Sequence, residues 1–345
     1  VAFDQAASRG ARPFAVKVSV AIPVLNGATT LDEVLAAVRG QEVEAEVEIL
    51  VCDSGSIDGS QAICARHGAE VFAIPREKFS HGGTRNLLAE RASGTHVAFL
   101  TQDAVPGTTG WLAELLRGFA IAPDVALTFG PYRARPQAAA RVRRELDSWF
   151  GSFAVDGQPR IDRLEPGEAG IEPRHLLGPR AFFTDANGCV AKAAWQEVRF
   201  RQIPYAEDHQ LALDMLSAGY AKVYMPRAAV IHWHDYGLVA QLRRSFDEWR
   251  ALREVYGYVE PVGMRTVRRS VIGPARADAQ LLRVEGARGS RLLAGAAEAT
   301  SHHAVRHLAA LLGTRAERLP AGVRRWLSLE GRASSVDADP LPRSR

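Results

Sequence analysis

The stretch Val97-Ala98-Phe99-Leu100-Thr101-Gln102-Asp103-Ala104 decides the fold. Four apolar residues in a row read as a buried strand. The run closes in Thr101, Gln102 and Asp103, and Val105-Pro106-Gly107 stops any regular element there. A buried strand that delivers a carboxylate to its own C-terminal end suits an open α/β sheet, where ligands bind at the carboxyl edge. The other reading of Asp103 is a cap on the following turn.

Working outward, residues 17–23 alternate and end at Pro23, which predicts a first strand. Asn26 and Gly27 turn the chain, and 30–38 has helical spacing, with Thr30 and Glu33 placed as a capping box. A second strand over 47–53 again ends in an acid, Asp53, followed by a polar turn and a helix over 60–67. Residues 70–74 predict a third strand, 84–92 a helix, 111–120 another, and 125–129 a fifth strand. Strand and helix in alternation predict a mostly parallel α/β sheet with helices on both faces. Neither G-x-G-x-x-G nor G-x-x-x-x-G-K-[ST] follows a strand, which removes the main support for nicotinamide-cofactor and P-loop readings.

Beyond Gly130 the rhythm loosens. Residues 138–150 read as an amphipathic helix, and 151–179, rich in Gly, Pro and charge, as a long excursion near a site. Phe182 to Asp185 and Asn187 to Val190 bracket a turn. A helix over 207–218 closes at Gly219, and 223–232 reads as one last strand running into His232-Trp233-His234. From 238 onward the pattern is helical, with a break at Pro261-Val262-Gly263 and a polar, disordered tail. The expected organisation is an N-terminal extension (1–16), a catalytic domain (17–235), a helical C-terminal region (236–331) and the tail (332–345).

Of 345 residues, 47% are apolar, which allows a sizeable core. The three cysteines, Cys52, Cys64 and Cys189, are too few and scattered for a disulfide framework or a zinc knuckle. No apolar run approaches the roughly 20 residues that span a bilayer. The expectation is a cytoplasmic protein, at most peripheral at the inner face of the plasma membrane. Charge is uneven: residues 236–345 hold 19 Arg and no Lys against 11 acids. Arg243, Arg244, Arg250 and Arg253 recur at near-helical spacing, which would give one basic face for a membrane surface or for an oligomer contact. Solvated faces of ordinary helices are the plainer reading.

Five pieces now stand in order: Ala21-Ile22-Pro23-Val24-Leu25-Asn26, residues 51–60 around Asp53, Gly83-Thr84-Arg85-Asn86, Phe99 to Asp103, and Ala206-Glu207-Asp208-His209. The ordered set resembles the family 2 glycosyltransferases of GT-A fold. Phe79 to Asn86 with Leu100 to Ala104 further resembles the bacterial rhamnosyltransferase branch, which uses a dTDP-L-rhamnose donor.

The resemblance implies an inverting transfer from a dTDP- or UDP-sugar to a saccharide or lipid-linked acceptor in surface-polysaccharide synthesis, with no nucleic-acid partner. It implies a donor site from Pro23, Leu25, Asn26, Asp53, Ser56, Asp58, His81, Gly82, Arg85, Asn86, Gln102 and Asp103. Asp53 would accept a hydrogen bond from a uracil or thymine N3–H, or make only an Asx turn. Gly82 and its neighbours at a helix start would offer backbone N–H groups to a diphosphate, with Arg85 adding a charge. Asp103 would hold Mg²⁺ or Mn²⁺, but the usual partner acid is replaced by Thr101. His232 and His234, two apart at a strand end, are the candidate extra ligands, and N/O ligation tilts the choice toward Mn²⁺. Asp208 would be the general base, beside Glu207. Trp149, Trp195 and Trp233 are candidates to stack on a sugar, Trp233 first because it lies between the histidines. A non-catalytic nucleotide-sugar-binding protein on the same fold is the rival reading.

Overall fold

The computed structural model describes residues 17–330 apart from Val155 and Ala169. The N-terminal extension and the polar tail expected from the sequence lie outside the described residues.

Among the described residues eleven strands occur in chain order: β1 (Lys17–Val24), β2 (Glu46–Asp53), β3 (Glu70–Ala73), β4 (His96–Leu100), β5 (Val105–Pro106), β6 (Val125–Phe129), β7 (Tyr132–Arg133), β8 (Arg160–Asp162), β9 (Asn187–Ala191), β10 (Ala221–Tyr224) and β11 (Val230–Ile231). Eight form one sheet in the order β3-β2-β1-β4-β9-β6-β10-β8, and β5-β11-β7 form a small second sheet. β1 to β4 pair in parallel, β6 pairs in parallel with β10, and β9 and the edge strand β8 run antiparallel to their neighbours.

The helices follow from the strand alternation. In β1 and β4, Val18, Val20, Ile22, Ala98 and Leu100 face one way. They meet Leu31, Val34 and Leu35 of α1 (Leu31–Arg39), Ile63 of α2 (Ser60–Arg66), and Trp111 and Leu115 of α4 (Trp111–Gly118). Ala21, Val97 and Phe99 face the other way. There they meet Leu88 of α3 (His81–Arg91), Phe150 of α5 (Ala140–Gly151), Trp195 of α6 (Lys192–Glu197) and Leu211 of α7 (Glu207–Ser217).

The C-terminal region is helical: α8 (Leu238–Tyr256), the short α9 (Met264–Val267), α10 (Gly273–Val284), α11 (Gly289–Gly313) and α12 (Ala321–Leu327). Leu252, Val255 and Tyr256 of α8 pack on Leu213 and Leu216 of α7, so this region is built onto the back of a helix that opens at the candidate base.

Three sequence expectations are corrected. The last strand is not continuous over 223–232: Pro226 cannot donate to a ladder, and the chain leaves the main sheet after Tyr224 and re-pairs at Val230. Thr30 makes no cap; its hydroxyl donates to the Gln102 carbonyl at 2.9 Å, and Glu33 pairs with Arg135. Within the excursion over 151–179, β8 closes the sheet edge, and its buried Asp162 takes the buried Lys222 ammonium at 2.7 Å.

Candidate functional site

At the carboxyl edge of β2, Asp53 is 1% exposed. Its Oδ1 accepts from the backbone N–H of Gly55 (2.8 Å) and Ser56 (2.9 Å), an Asx turn. Its Oδ2 is buried and has no partner. The two readings of Asp53 therefore occupy different oxygens. Ser56 and Asp58 secure the loop after β1, accepting from the N–H groups of Asn26 and Ala28, each at 2.9 Å. Asn26, in a left-handed conformation (φ 50°), answers by accepting from the Ile57 N–H. Gln102 brackets Leu25 with both halves of its amide, at 2.8 and 3.1 Å, and Pro23 is the last residue but one of β1, just before it.

The small sheet explains the second group. β11 pairs antiparallel with β5, Ile231 opposite Val105, so the residues just after β11 come beside those just before β5. His232 Nδ1 lies 3.4 Å from Asp103 Oδ1, and His234 Nε2 lies 3.6 Å from Asp103 Oδ2. One ligand atom from each of the three fits within a 4.8 Å span. His232 Nδ1 is buried and makes no hydrogen bond, although it faces Asp103. Burial pushes the Asp103 carboxyl up, but the two imidazoles and the Thr101 hydroxyl outweigh it and hold the group below the ordinary carboxylate value. Burial, aided by the charge of His232, brings His234 down to about 4. A carboxylate oxygen and two basic nitrogens are a donor set that fits a divalent cation. Trp233 is half-buried between them.

Next to it lies a buried acid group. Ala206, at φ 63°, takes a left-handed conformation that a non-glycine residue adopts at a cost of about 1 kcal/mol, and it aims the first turn of α7 inward. Glu207 is 4% exposed, and Asp208 is half-buried, its Oδ1 accepting from the His209 N–H. Burial, reinforced by the adjacent Glu207 charge, raises the Asp208 carboxyl above its ordinary value despite His209. Tyr132 links the two groups: its ring meets His232 edge-on at 4.9 Å, and its hydroxyl bonds Thr184.

Arg85 differs from expectation. It is 3% exposed and pairs with Asp185 (2.5 Å) and Glu207 (3.1 Å), below the site rather than open to a diphosphate. One guanidinium between two buried carboxyls balances one of them: burial drives Asp185 well up, whereas Arg85 and His81 hold Glu207 down against its own burial. Asn86 is likewise engaged by the protein, its amide bonding the Phe200 carbonyl and N–H and the Trp195 indole N–H. Gly82 is small because a Cβ there would stand 2.2 Å from the Arg201 carbonyl oxygen, a packing demand independent of any phosphate. His81 lies between two acids, 3.9 Å from Glu207 and 3.4 Å from Glu330. Trp195 is core, and Trp149 packs edge-on against Phe153 and Phe182.

Asp185 was missed by sequence reasoning. Because β9 runs backwards, its first residue Asn187 pairs with Leu100, and the residues before it fall at the carboxyl edge of β4. The readable signal was a lone acid after two phenylalanines. Arg244 and Glu330 were missed as site neighbours too. They pair at 3.1 Å, and Arg244 covers the Tyr205 ring at 4.4 Å. The arginines expected to form a basic face along α8 are half-buried and partly engaged by the protein. Arg243 donates to the Trp326 carbonyl, Arg250 faces Asp247, and Arg253 donates to the Gly257 carbonyl.

Residues 19–180 match the glycosyl transferase family 2 model. The chain is 26% identical over 237 residues to the O-antigen chain rhamnosyltransferase RfbN of Salmonella typhimurium, covering 67% of this chain and 71% of the relative. It is 26% identical over 202 residues to the O-antigen chain rhamnosyltransferase WbaN of Salmonella anatum, covering 58% of this chain and 61% of the relative. Among solved structures, a mannosyltransferase from Pyrobaculum calidifontis, in complex with GDP-mannose and Mn²⁺, superposes with a TM-score of 0.55. The identity is 16%, over 89% of this chain and 92% of that one, a likeness of fold. The fold is GT-A type.

Proposed function

We propose, for a chain that is a glycosyltransferase with a family 2 domain over residues 19–180, that it transfers L-rhamnose from dTDP-L-rhamnose to a saccharide or lipid-linked acceptor, with inversion. The observation that carries the reading is Tyr132, whose ring meets His232 of the Asp103–His232–His234 cluster and whose hydroxyl feels the charge of Asp208, a carboxyl raised above its ordinary value. The two rhamnosyltransferase relatives support the sugar. Asp53 Oδ2 supports a uracil or thymine base, since either carries an N3–H to donate, so the nucleotide is chosen by experiment.

In this reading residues 17–235 form the catalytic unit. Asp53 and the loop held by Ser56, Asp58 and Gln102 seat the nucleotide. Asp103, His232 and His234 would hold a divalent cation, Mn²⁺ or Mg²⁺, which neutralises charge on the departing diphosphate. Asp208 accepts the proton of the acceptor hydroxyl. The acceptor oxygen forms its bond to the anomeric carbon as the bond to the diphosphate oxygen breaks on the opposite face. A base with a raised pKa is better matched to this proton than an ordinary aspartate. Glu207, pinned by Arg85, fixes the turn on which Asp208 stands.

The deciding experiment is transfer from dTDP-L-rhamnose and from UDP-sugars by the wild type and Asp208→Asn. Loss of turnover on the order of 10²–10⁴-fold with donor binding retained is expected. An unchanged rate in Asp208→Asn, or nucleotide binding without transfer to any saccharide acceptor, overturns the assignment.

A further inference from the structure

Away from the candidate site, α8, the end of α11 and α12 enclose a cleft of about 460 Å³. It exists because α11 approaches α8 closely: a Cβ on Gly313 would stand 2.6 Å from the Phe246 carbonyl oxygen. Pro320 then starts α12 across the opening. The cleft is lined by Arg250, Arg253, Arg324 and Arg325 against Glu254 and Glu317, an excess of two positive charges.

We propose that this cleft binds a phosphate-bearing ligand, as a phosphomonoester or diphosphate dianion. Two observations point to a ligand rather than to a solvated basic surface. First, donors are left over. The Arg250 Nε–H is buried without a hydrogen-bond partner and has only Glu254 at 3.8 Å. Arg324 and Arg325 lie within ion-pair distance of no carboxylate among the described residues. Second, the lining stays net positive even with Asp247, which faces Arg250, counted against it, and guanidinium forks match phosphate oxygens two at a time. Four of them converging from two helices and held around a cavity make a receptor geometry, whereas arginines scattered on one helix face do not.

The cleft also adjoins the candidate site's outer wall. Ser328 lines it, and the same Ser328 hydroxyl donates to Asp247 at 2.7 Å. Asp247 receives the N–H groups of Leu329 and Glu330 as well, and Glu330 reaches His81. Arg250 stands 3.6 Å from Asp247, so a phosphate that draws Arg250 acts on the residue that anchors this segment.

The phosphate could be carried by a soluble molecule or by a lipid headgroup. Half-exposed Val323 and Trp326 flank the two free arginines on α12 and would suit the second source. The test is calorimetric titration of metal-free protein with inorganic phosphate and pyrophosphate, together with sedimentation on phosphatidylglycerol and phosphatidylcholine vesicles. Wild type, Arg324→Ala/Arg325→Ala and Asp103→Asn are compared. Both arginines are exposed, so the double variant should melt with the wild type. Binding of phosphate or pyrophosphate by wild type and Asp103→Asn alike, weakened about tenfold or more in the double variant, is expected. Retention on phosphatidylglycerol but not phosphatidylcholine vesicles, lost in the same variant, places the phosphate on a lipid; titration without retention places it on a soluble ligand. Equal affinity in wild type and the double variant, loss in Asp103→Asn instead, or no binding to wild type overturns the site.

Discussion

At the scale of single residues, the carboxyls of this protein divide by what surrounds them. Glu48, on β2, accepts hydrogen bonds from the Ser19 hydroxyl and from the Ser93 hydroxyl and N–H, and pairs with Lys17 at 3.2 Å. Burial works against it, yet these partners bring its pKa from 4.5 to about 2. The folded form therefore prefers the charged group, and the stability it gives is full above 4.5 and lost as pH falls toward 2. Glu48→Gln should lose roughly 1–2 kcal/mol at neutral pH, the shift being partly screened by solvent. The difference from wild type should close in urea titrations at decreasing pH, and a constant difference would contradict this account. Asp208 is the opposite case. Its raised pKa puts the acidic limb of the kcat/KM profile above the ordinary aspartate value of 3.8, with activity falling as pH drops through it. A limb at or below that value would argue against Asp208 as the base. Arg85 gives a third test. Arg85→Ala leaves Glu207 and Asp185 buried without their cation, and should cost about 3–5 kcal/mol in denaturant melts. A variant that weakened only donor affinity would restore a direct phosphate contact.

At the scale of elements, the first half of the chain was legible. Apolar runs bounded by Gly, Pro and acids located β1, β2, β4 and β6, because each is largely buried, and β3 was found as a short apolar run although it is a half-exposed edge strand. The direction of β9 was not legible, since a five-residue apolar strand reads the same in a parallel or an antiparallel place. That one ambiguity concealed Asp185. The break at Pro226 was readable, because proline cannot donate to a ladder. Asn86 and Gly82 show the limit of motifs: the residues were found, but their roles as observed are to fasten α3 to the Phe200–Arg201 backbone. Gly82→Ala should push these two segments apart and destabilise the fold by about 1–3 kcal/mol. A variant as stable as wild type, with only its donor KM raised, would instead favour a phosphate contact at that helix start.

At the scale of the molecule, no helix among the described residues is long and apolar enough to cross a membrane. Of the arginines expected to form a basic face on α8, Arg243 and Arg244 turn to Trp326 and Glu330, while Arg250 and Arg253 line the cleft beside α12. Helical periodicity places charges on one side of a helix and says nothing of what later packs there. Asp247, fully buried, fastens that last segment by three hydrogen bonds and so keeps Glu330 beside His81. Asp247→Ala should abolish hydrogen-exchange protection at the Leu329 and Glu330 amides; retained protection would mean that the segment is held by other contacts.

The small sheet β5-β11-β7 brings together residue 103 and residues 232 and 234, which lie far apart along the chain. A site drawn from such distant positions closes late, after the strands between them have found their order. A partly folded chain would then carry every ligand residue and still bind no cation. Mn²⁺ would thus be a probe of completed folding, adding stability by mass action to the finished state alone. The wild type should show a melting temperature that climbs with Mn²⁺ concentration, and His232→Ala one that does not.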